Sequence, residues 1–396
     1  MLFETNQLPV FLPEGIKFKC TGCGKCCVGW NCYVGFELCE NLKKSSLYKQ
    51  ICRKTEMDDL FEMAEDKKTC VIKHFGDKCA FLGRKKNCLI QDELGYAAKP
   101  LGCRQFPIII TRTPEGVYAG VCFLCPGILA EDSEPLAIRE PEIRRLITEY
   151  NFDEFGKNGV KIAENLETDW EGYKVIETYL YSQIENEPDL HLALRKNLTA
   201  LLMISSEEWK QGESFISAAK LQQKLESIQV KPLQDEAYTD MEKQFAMAVI
   251  SILESINDGL KRKNTGILVS GGKLFCHNFR RNIQVEDLNE YMAKHSDSVQ
   301  DIDFRRYFKH IIWRKNFLLQ KPLIYGLAAF NFIYVMLNWY YYTSAFVRKA
   351  EKPEKKDMEK AFEVVEKAVF HNTPPIIAPF ARLFGDSLVE LSVMEW

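Results

Sequence analysis

Hydrophobic and polar positions follow two different rhythms along this chain. From about residue 168 onward, apolar residues recur every three or four positions. Trp170, Tyr173, Ile176, Leu180 and Ile184 therefore fall on one face of a helix. Thr168-Asp-Trp-Glu171 carries a capping-box signature at its start, and Thr239-Asp-Met-Glu242 repeats the device before Met241, Phe245, Val249, Ile252, Ile256 and Leu260. The same spacing predicts further helices over about 189–204, 211–228, 286–296, 300–317, 322–349, 355–371 and 376–392. Before residue 130 no long period appears. Glycines and prolines punctuate short segments there, and Phe106 to Val121 reads as two short strands joined at Pro114-Glu115-Gly116. The expected fold is mainly α: an irregular cysteine-rich metal-binding region with a short β-hairpin over residues 1–130, packed on an α-helical bundle over 131–396. The boundary is placed near residues 127–137.

Leu323 to Val347 holds no charged residue across 25 positions, which is long enough to cross a bilayer, and Lys321, Arg348 and Lys349 flank it. Asn331, Tyr334, Asn338, Tyr341 and Ala345 form a polar stripe along the same stretch, which a lipid-facing helix has no reason to carry. The segment is therefore read as a central helix of the bundle, with membrane association as the alternative.

Composition narrows the function. The 396 residues are 46% hydrophobic and balance 52 basic against 55 acidic side chains, which leaves no electrostatic footprint for nucleic acid. The cysteines change the picture more. Thirteen of the 14 lie within residues 1–125, and the remaining 271 residues contain only Cys276. Packing cysteines would scatter, so something local requires thiols. The N-terminus MLFETNQLPVFLPEG lacks a basic start followed by an apolar stretch, which points to a reducing, cytoplasmic setting and to metal ligation over disulfides.

The sharpest motif is Cys20-Thr-Gly-Cys23-Gly-Lys-Cys26-Cys27. Thiolates two residues apart turn toward one metal, and the glycines let backbone amides approach the sulfurs. Downstream come Cys79-Ala-Phe-Leu, Cys88-Leu-Ile-Gln-Asp-Glu-Leu-Gly95, Cys103-Arg-Gln-Phe-Pro107 and Cys122-Phe-Leu-Cys125-Pro-Gly127. The natural ligand set is Cys20, Cys23, Cys26, Cys27, Cys79, Cys88, Cys103 and Cys125, enough for two tetrahedral metals or one larger cluster. Cys32, Cys39, Cys52, Cys70, Cys122 and Cys276 are taken as non-ligands, with Cys122 as the alternative to Cys125, and His74 as a surface residue. Eight thiolates without a well-placed histidine favour an iron–sulfur cluster, of the 4Fe–4S kind, over zinc, which accepts the same four thiolates. Ligation energy is expected to substitute for an apolar core in this region. Lys25 and Arg104 stand beside thiols in sequence and are candidates to offset their charge, or are ordinary solvated or salt-bridged side chains.

These motifs resemble the YkgJ-type cysteine-cluster family, described as zinc- or iron-chelating proteins, over about residues 18–127. Cys27-Val-Gly-Trp30 and the segment Cys88 to Gly95 are similar to bacterial flagellin lysine-N-methylases. The resemblance implies a metal or iron–sulfur centre and methyl transfer from S-adenosylmethionine to lysines of flagellin or a similar protein. Other features point elsewhere. No G-x-G-x-x-G follows a strand; Ile267 to Gly272 is the nearest candidate and is short of glycines. No C-x3-C-x2-C run exists to leave one iron open for radical chemistry. Asp92 and Glu93 are adjacent rather than on one face, and read as surface charges. The alternative function is accordingly a non-enzymatic zinc- or iron-binding or electron-transfer module.

Overall fold

The computed structural model describes residues 8–150, 152, 154–230, 243–251, 254, 272–276, 278–296, 301–315, 322–371, 382, 383, 385 and 386. Small sheets populate the N-terminal half, and the C-terminal part is helical. Two compact units emerge. One comprises residues 1–110 and 119–151, the other 111–118 and 152–396. The first thus includes the helix Glu140–Glu149, and the second takes the tip of a hairpin whose base belongs to the first.

That hairpin is the one expected between 106 and 121: strands Ile108–Thr113 and Gly116–Val121, with Val10–Phe11 added beyond the second. The N-terminal unit has more regular structure than one hairpin. Strands Tyr33–Gly35, Thr69–Ile72 and Phe61–Met63 form an antiparallel sheet in that order, and helices Phe36–Lys44 and Ser46–Thr55 connect its edges. Ser45 separates the two helices because its Oγ accepts the Tyr48 N–H at 3.1 Å, capping the second.

The sheet and helices enclose an apolar cluster with Val34, Leu42, Leu47, Ile51, Leu60, Phe61, Ile72 and Phe81. Tyr48 stacks on Phe61 at 5.8 Å, and its hydroxyl donates to Asp59 at 2.7 Å. The unit therefore owns a hydrophobic core, contrary to the expectation that ligation replaces one. The sequence concealed it because Cys39 and Cys70 occupy core positions beside strands of only three or four residues.

In the second unit the helix Trp170–Asn186 buries the five residues expected on one face. Its cap is shifted by one: Asp169 Oδ1 accepts the Gly172 N–H at 2.8 Å, while Thr168 ends a strand and donates to the Ile216 carbonyl. Helix Leu190–Lys210 runs past the expected 204. The next helix, Ala218–Ser227, starts later than 211 because Gly212 takes φ +74° and Ser217 caps the new start. Val285–Lys294, Asp301–Arg314, Leu323–Val347 and Lys355–Glu366 match four further expectations, the last continuing as a π turn over Lys367–His371. The repeated capping signature at 239–242 and most of 376–392 lie outside the described residues.

Helix Leu323–Val347 packs against Lys355–Glu366, Leu190–Lys210 and Val285–Lys294, and 83% of its most apolar 18-residue window is buried. Its polar stripe is bonded close to home in part, while the buried Asn331 Oδ1 meets no hydrogen-bond partner among the described residues. Asn331 and Asn338 each donate to the carbonyl four residues earlier at 3.0 Å, and the Tyr334 ring stacks on His191 at 4.5 Å.

Two consecutive cations close helix Asp301–Arg314. Arg314 forks onto Glu366 at 3.2 and 3.3 Å with both side chains fully buried. Lys315, also fully buried, places Nζ 2.5 Å from Glu177 and 3.8 Å from the Tyr118 ring centroid, with Trp170 and Tyr173 at 5.9 and 5.4 Å. Burial lowers the Lys315 pKa, and Glu177 opposes that shift. The two cations sit where the helix dipole favours positive charge.

Candidate metal centre

Three backbone contacts bring the thiol segments of the first unit together. At one end, the Lys19 N–H donates to the Gly127 carbonyl at 3.1 Å. A Cβ on Gly127 would stand 2.1 Å from the Lys19 carbonyl oxygen, so only glycine permits this approach, and it sets Cys125 beside Cys20. In the middle, Val28 bridges Lys78 antiparallel and the Gly29 N–H donates to Asp77, which places Cys27 beside Cys79. Gly24, at φ +72°, starts the short turn Lys25–Cys27 and lies against Lys86, where a Cβ would meet the Lys86 oxygen at 3.0 Å. That contact fastens the run of four cysteines to the loop leading into Cys88. A bridge between Leu82 and Cys88 then closes the loop from Cys79.

The thiols fall into two electrostatic neighbourhoods. Cys125 feels Cys20, Cys23 and Cys26, whereas Cys79 feels Cys26, Cys88 and Cys103. Cys27 feels Cys26, Cys79 and Cys88, so the adjacent Cys26 and Cys27, with sulfurs 4.0 Å apart, stand where the two groups meet. All eight expected ligands are thus gathered in one region, and all are free thiols. Among the described residues, no three cysteine, histidine or acidic side chains are drawn close enough to hold an ion as they stand. Rotating a cysteine between staggered χ1 wells moves its sulfur by about 3 Å.

The donor set fits a thiolate-bound metal. Sulfurs of Cys79, Cys88 and Cys125 accept backbone N–H groups two or three residues ahead, from Phe81, from Ile90 and Gln91, and from Gly127. Such bonds stabilise anionic sulfur and tune a bound metal. Burial pushes the Cys79 and Cys125 thiols up to about 12 and raises Cys88. Cys27 hydrogen-bonds Cys26 and lowers it to about 6, while Cys27 itself is driven up by the same contact. A metal ion is the group that makes such buried sulfurs anionic, since it displaces their protons.

Of the two candidate cations, Arg104 takes the ordinary alternative, a salt bridge. Arg104 pairs with Glu149 at 2.5 Å, on the helix Glu140–Glu149. Lys25 is exposed. Lys99, which the motifs did not single out, adds to the lowering of Cys26 and opposes the rise of Cys88 and Cys103 through its charge, and its Nζ donates to the Gln91 side chain at 3.1 Å. Gln91 therefore serves the site twice, with its N–H on Cys88 and its carbonyl oxygen on Lys99. The signal for Lys99 lay in its place four residues before Cys103, but its proximity to Cys26 arises only in the folded chain.

The remaining cysteines separate. Cys39 and Cys70 hydrogen-bond one another within the apolar cluster, and Cys122 and Cys276 are buried. Cys32 does not join them, because its sulfur lies 3.1 Å from that of Cys103. His74 is opposite Cys79 across the small hairpin His74–Phe75 and Lys78–Cys79, on the same face, and its buried Nε2 meets no hydrogen-bond partner among the described residues. Asp92 accepts a hydrogen bond from Asn87, and both Asp92 and Glu93 are exposed, as expected of surface charges. Comparison of the chain with protein-family models, curated proteins and solved structures finds no match.

Proposed function

We propose that the N-terminal unit is a thiolate metal centre that binds zinc or an iron–sulfur cluster through Cys20, Cys23, Cys26, Cys27, Cys79, Cys88, Cys103 and Cys125. The supporting observation is the set of backbone contacts at Lys19–Gly127, Val28–Lys78 and Gly24–Lys86, which draw three distant cysteine segments into one region. Bound metal there supplies either a structural cross-link or an electron store, while the chain's own N–H groups and Lys99 balance the sulfur charge. The free thiols accord with a reducing, cytoplasmic setting. Protein purified without oxygen is expected to carry stoichiometric zinc, or iron with acid-labile sulfide and a brown colour. Elemental analysis and visible absorption distinguish the two, and a chain free of both metals sinks the reading.

A second reading is that this centre belongs to an S-adenosylmethionine-dependent lysine N-methyltransferase acting on flagellin or a similar protein. It is favoured by the likeness of Cys27-Val-Gly-Trp30 and Cys88 to Gly95 to flagellin lysine-N-methylases, in whose second segment Gln91 contacts Lys99. Incubation with labelled S-adenosylmethionine and flagellin is expected to label lysine side chains. Metal-loaded protein that neither binds S-adenosylmethionine in a calorimetric titration nor transfers label leaves the metal or electron-transfer module as the function.

A further inference from the structure

The geometry points to Cys32 as a ninth thiol of the centre, sharing one divalent metal ion with Cys103. The inference rests on the metal reading above and goes beyond it, since neither the cysteine motifs nor the expected ligand set includes Cys32. Cys32 immediately precedes the strand Tyr33–Gly35, and its carbonyl accepts the Ile72 N–H at 3.0 Å, which anchors it on the edge of the apolar cluster. Its sulfur lies 3.1 Å from Cys103, whose other electrostatic neighbours include Cys26 and Lys99. Cys103 in turn is felt by Cys79 and Cys88. Cys32 thus faces the ligand side, in contrast to Cys39 and Cys70, which pair inside the core.

Distance decides what this pair does. Two sulfurs on one tetrahedral ion with bonds of about 2.3 Å lie roughly 3.8 Å apart. A disulfide needs about 2.05 Å and the removal of two electrons by an oxidant. At 3.1 Å the pair reaches the metal-sharing geometry by opening about 0.7 Å and the disulfide only by closing about 1 Å. Binding is balanced without a redox partner: two thiols release two protons to solvent and form two metal–sulfur bonds to a divalent cation. A 4Fe–4S cluster spreads its four cysteines over four irons, so a pair sharing one ion fits a mononuclear zinc or ferrous site, or one iron of a 2Fe–2S cluster, better.

The test uses the full chain and Co²⁺ as probe, because sulfur-to-cobalt charge-transfer absorption grows with the number of bound thiolates. Wild type, C32S, C32A, C103S and the core control C39S are titrated under reducing, anaerobic conditions, with circular dichroism to verify folding. C32S and C32A are expected to weaken one cobalt ion by more than about 100-fold, as C103S does, because even outer partners of ligands cost about 10–100-fold. C39S is expected to bind as wild type. Wild-type binding that C103S weakens but C32S and C32A leave unchanged overturns the inference alone. No cobalt uptake by wild type overturns the shared-ion inference, and it overturns the metal reading as well when the protein as purified carries neither zinc nor iron. A Cys32–Cys103 disulfide that persists in metal-loaded protein, seen as a loss of two mass units, overturns the shared-ion assignment.

Discussion

Replacing Cys23 or Cys103 by serine is expected to lower metal affinity by more than about 100-fold and to abolish metal-dependent absorption, since each removes a direct sulfur ligand. The two substitutions strike different neighbourhoods: Cys23 belongs with Cys20 and Cys125, Cys103 with Cys79 and Cys88. Neither is expected to unfold the whole unit. The apolar cluster from Val34 to Ile90 has none of the eight expected ligands among its buried residues, and only Cys79 and Cys88 of the eight pack against it. Hydrogen exchange should accelerate over residues 20–27 and around Cys103, while amides of the sheet formed by Tyr33–Gly35, Thr69–Ile72 and Phe61–Met63 stay protected. Unchanged metal content in both variants means the ligand set is wrong. Global exchange in either would restore ligation as the main support of this unit.

The second large effect lies at Arg314. Removing its guanidinium by Arg314→Met leaves the Glu366 carboxylate fully buried without its bidentate partner, a change that costs about 3–5 kcal/mol. Replacing both residues, as Arg314→Met with Glu366→Leu, removes both desolvated charges together and is expected to recover most of that loss. Denaturant melts of the two single variants and the double variant measure the coupling. A double variant no more stable than Arg314→Met alone would show that Arg314 acts through packing or its other contacts rather than through Glu366.

Helices carrying long one-sided apolar rows were legible in the sequence because their information is local. Trp170 to Ile184 and the uncharged stretch from Leu323 to Val347 needed no knowledge of partners. The eight cysteines were legible for the same reason, through spacing and glycines. What escaped were features made by contacts across the chain. The strand Tyr33–Gly35 is three residues long and pairs with Thr69–Ile72 only after two intervening helices. Cys32 has no motif around it, and its place beside Cys103 spans 71 positions. Arg104 could be read as a thiolate counter-ion or as a salt-bridged side chain, and only the folded chain, in which it turns to Glu149 while Lys99 brings its charge to Cys103, separates the two.

The Arg314–Lys315 pair also constrains when the second unit can finish folding. Lys315 is bound to Glu177, synthesised 138 residues earlier, and Arg314 to Glu366, made 52 residues later. The Arg314 carbonyl further accepts the Thr111 hydroxyl across 203 residues, and Tyr118 lies beneath the Lys315 ammonium. The helical unit thus completes its packing late: the buried Arg314 charge meets its carboxylate only after Glu366 leaves the ribosome, and loop closure over such separations slows folding. Its chain is also discontinuous. A fragment beginning at residue 152 carries the helices but lacks the hairpin tip 111–118, leaving Lys315 without its nearest ring and the Arg314 carbonyl without its donor.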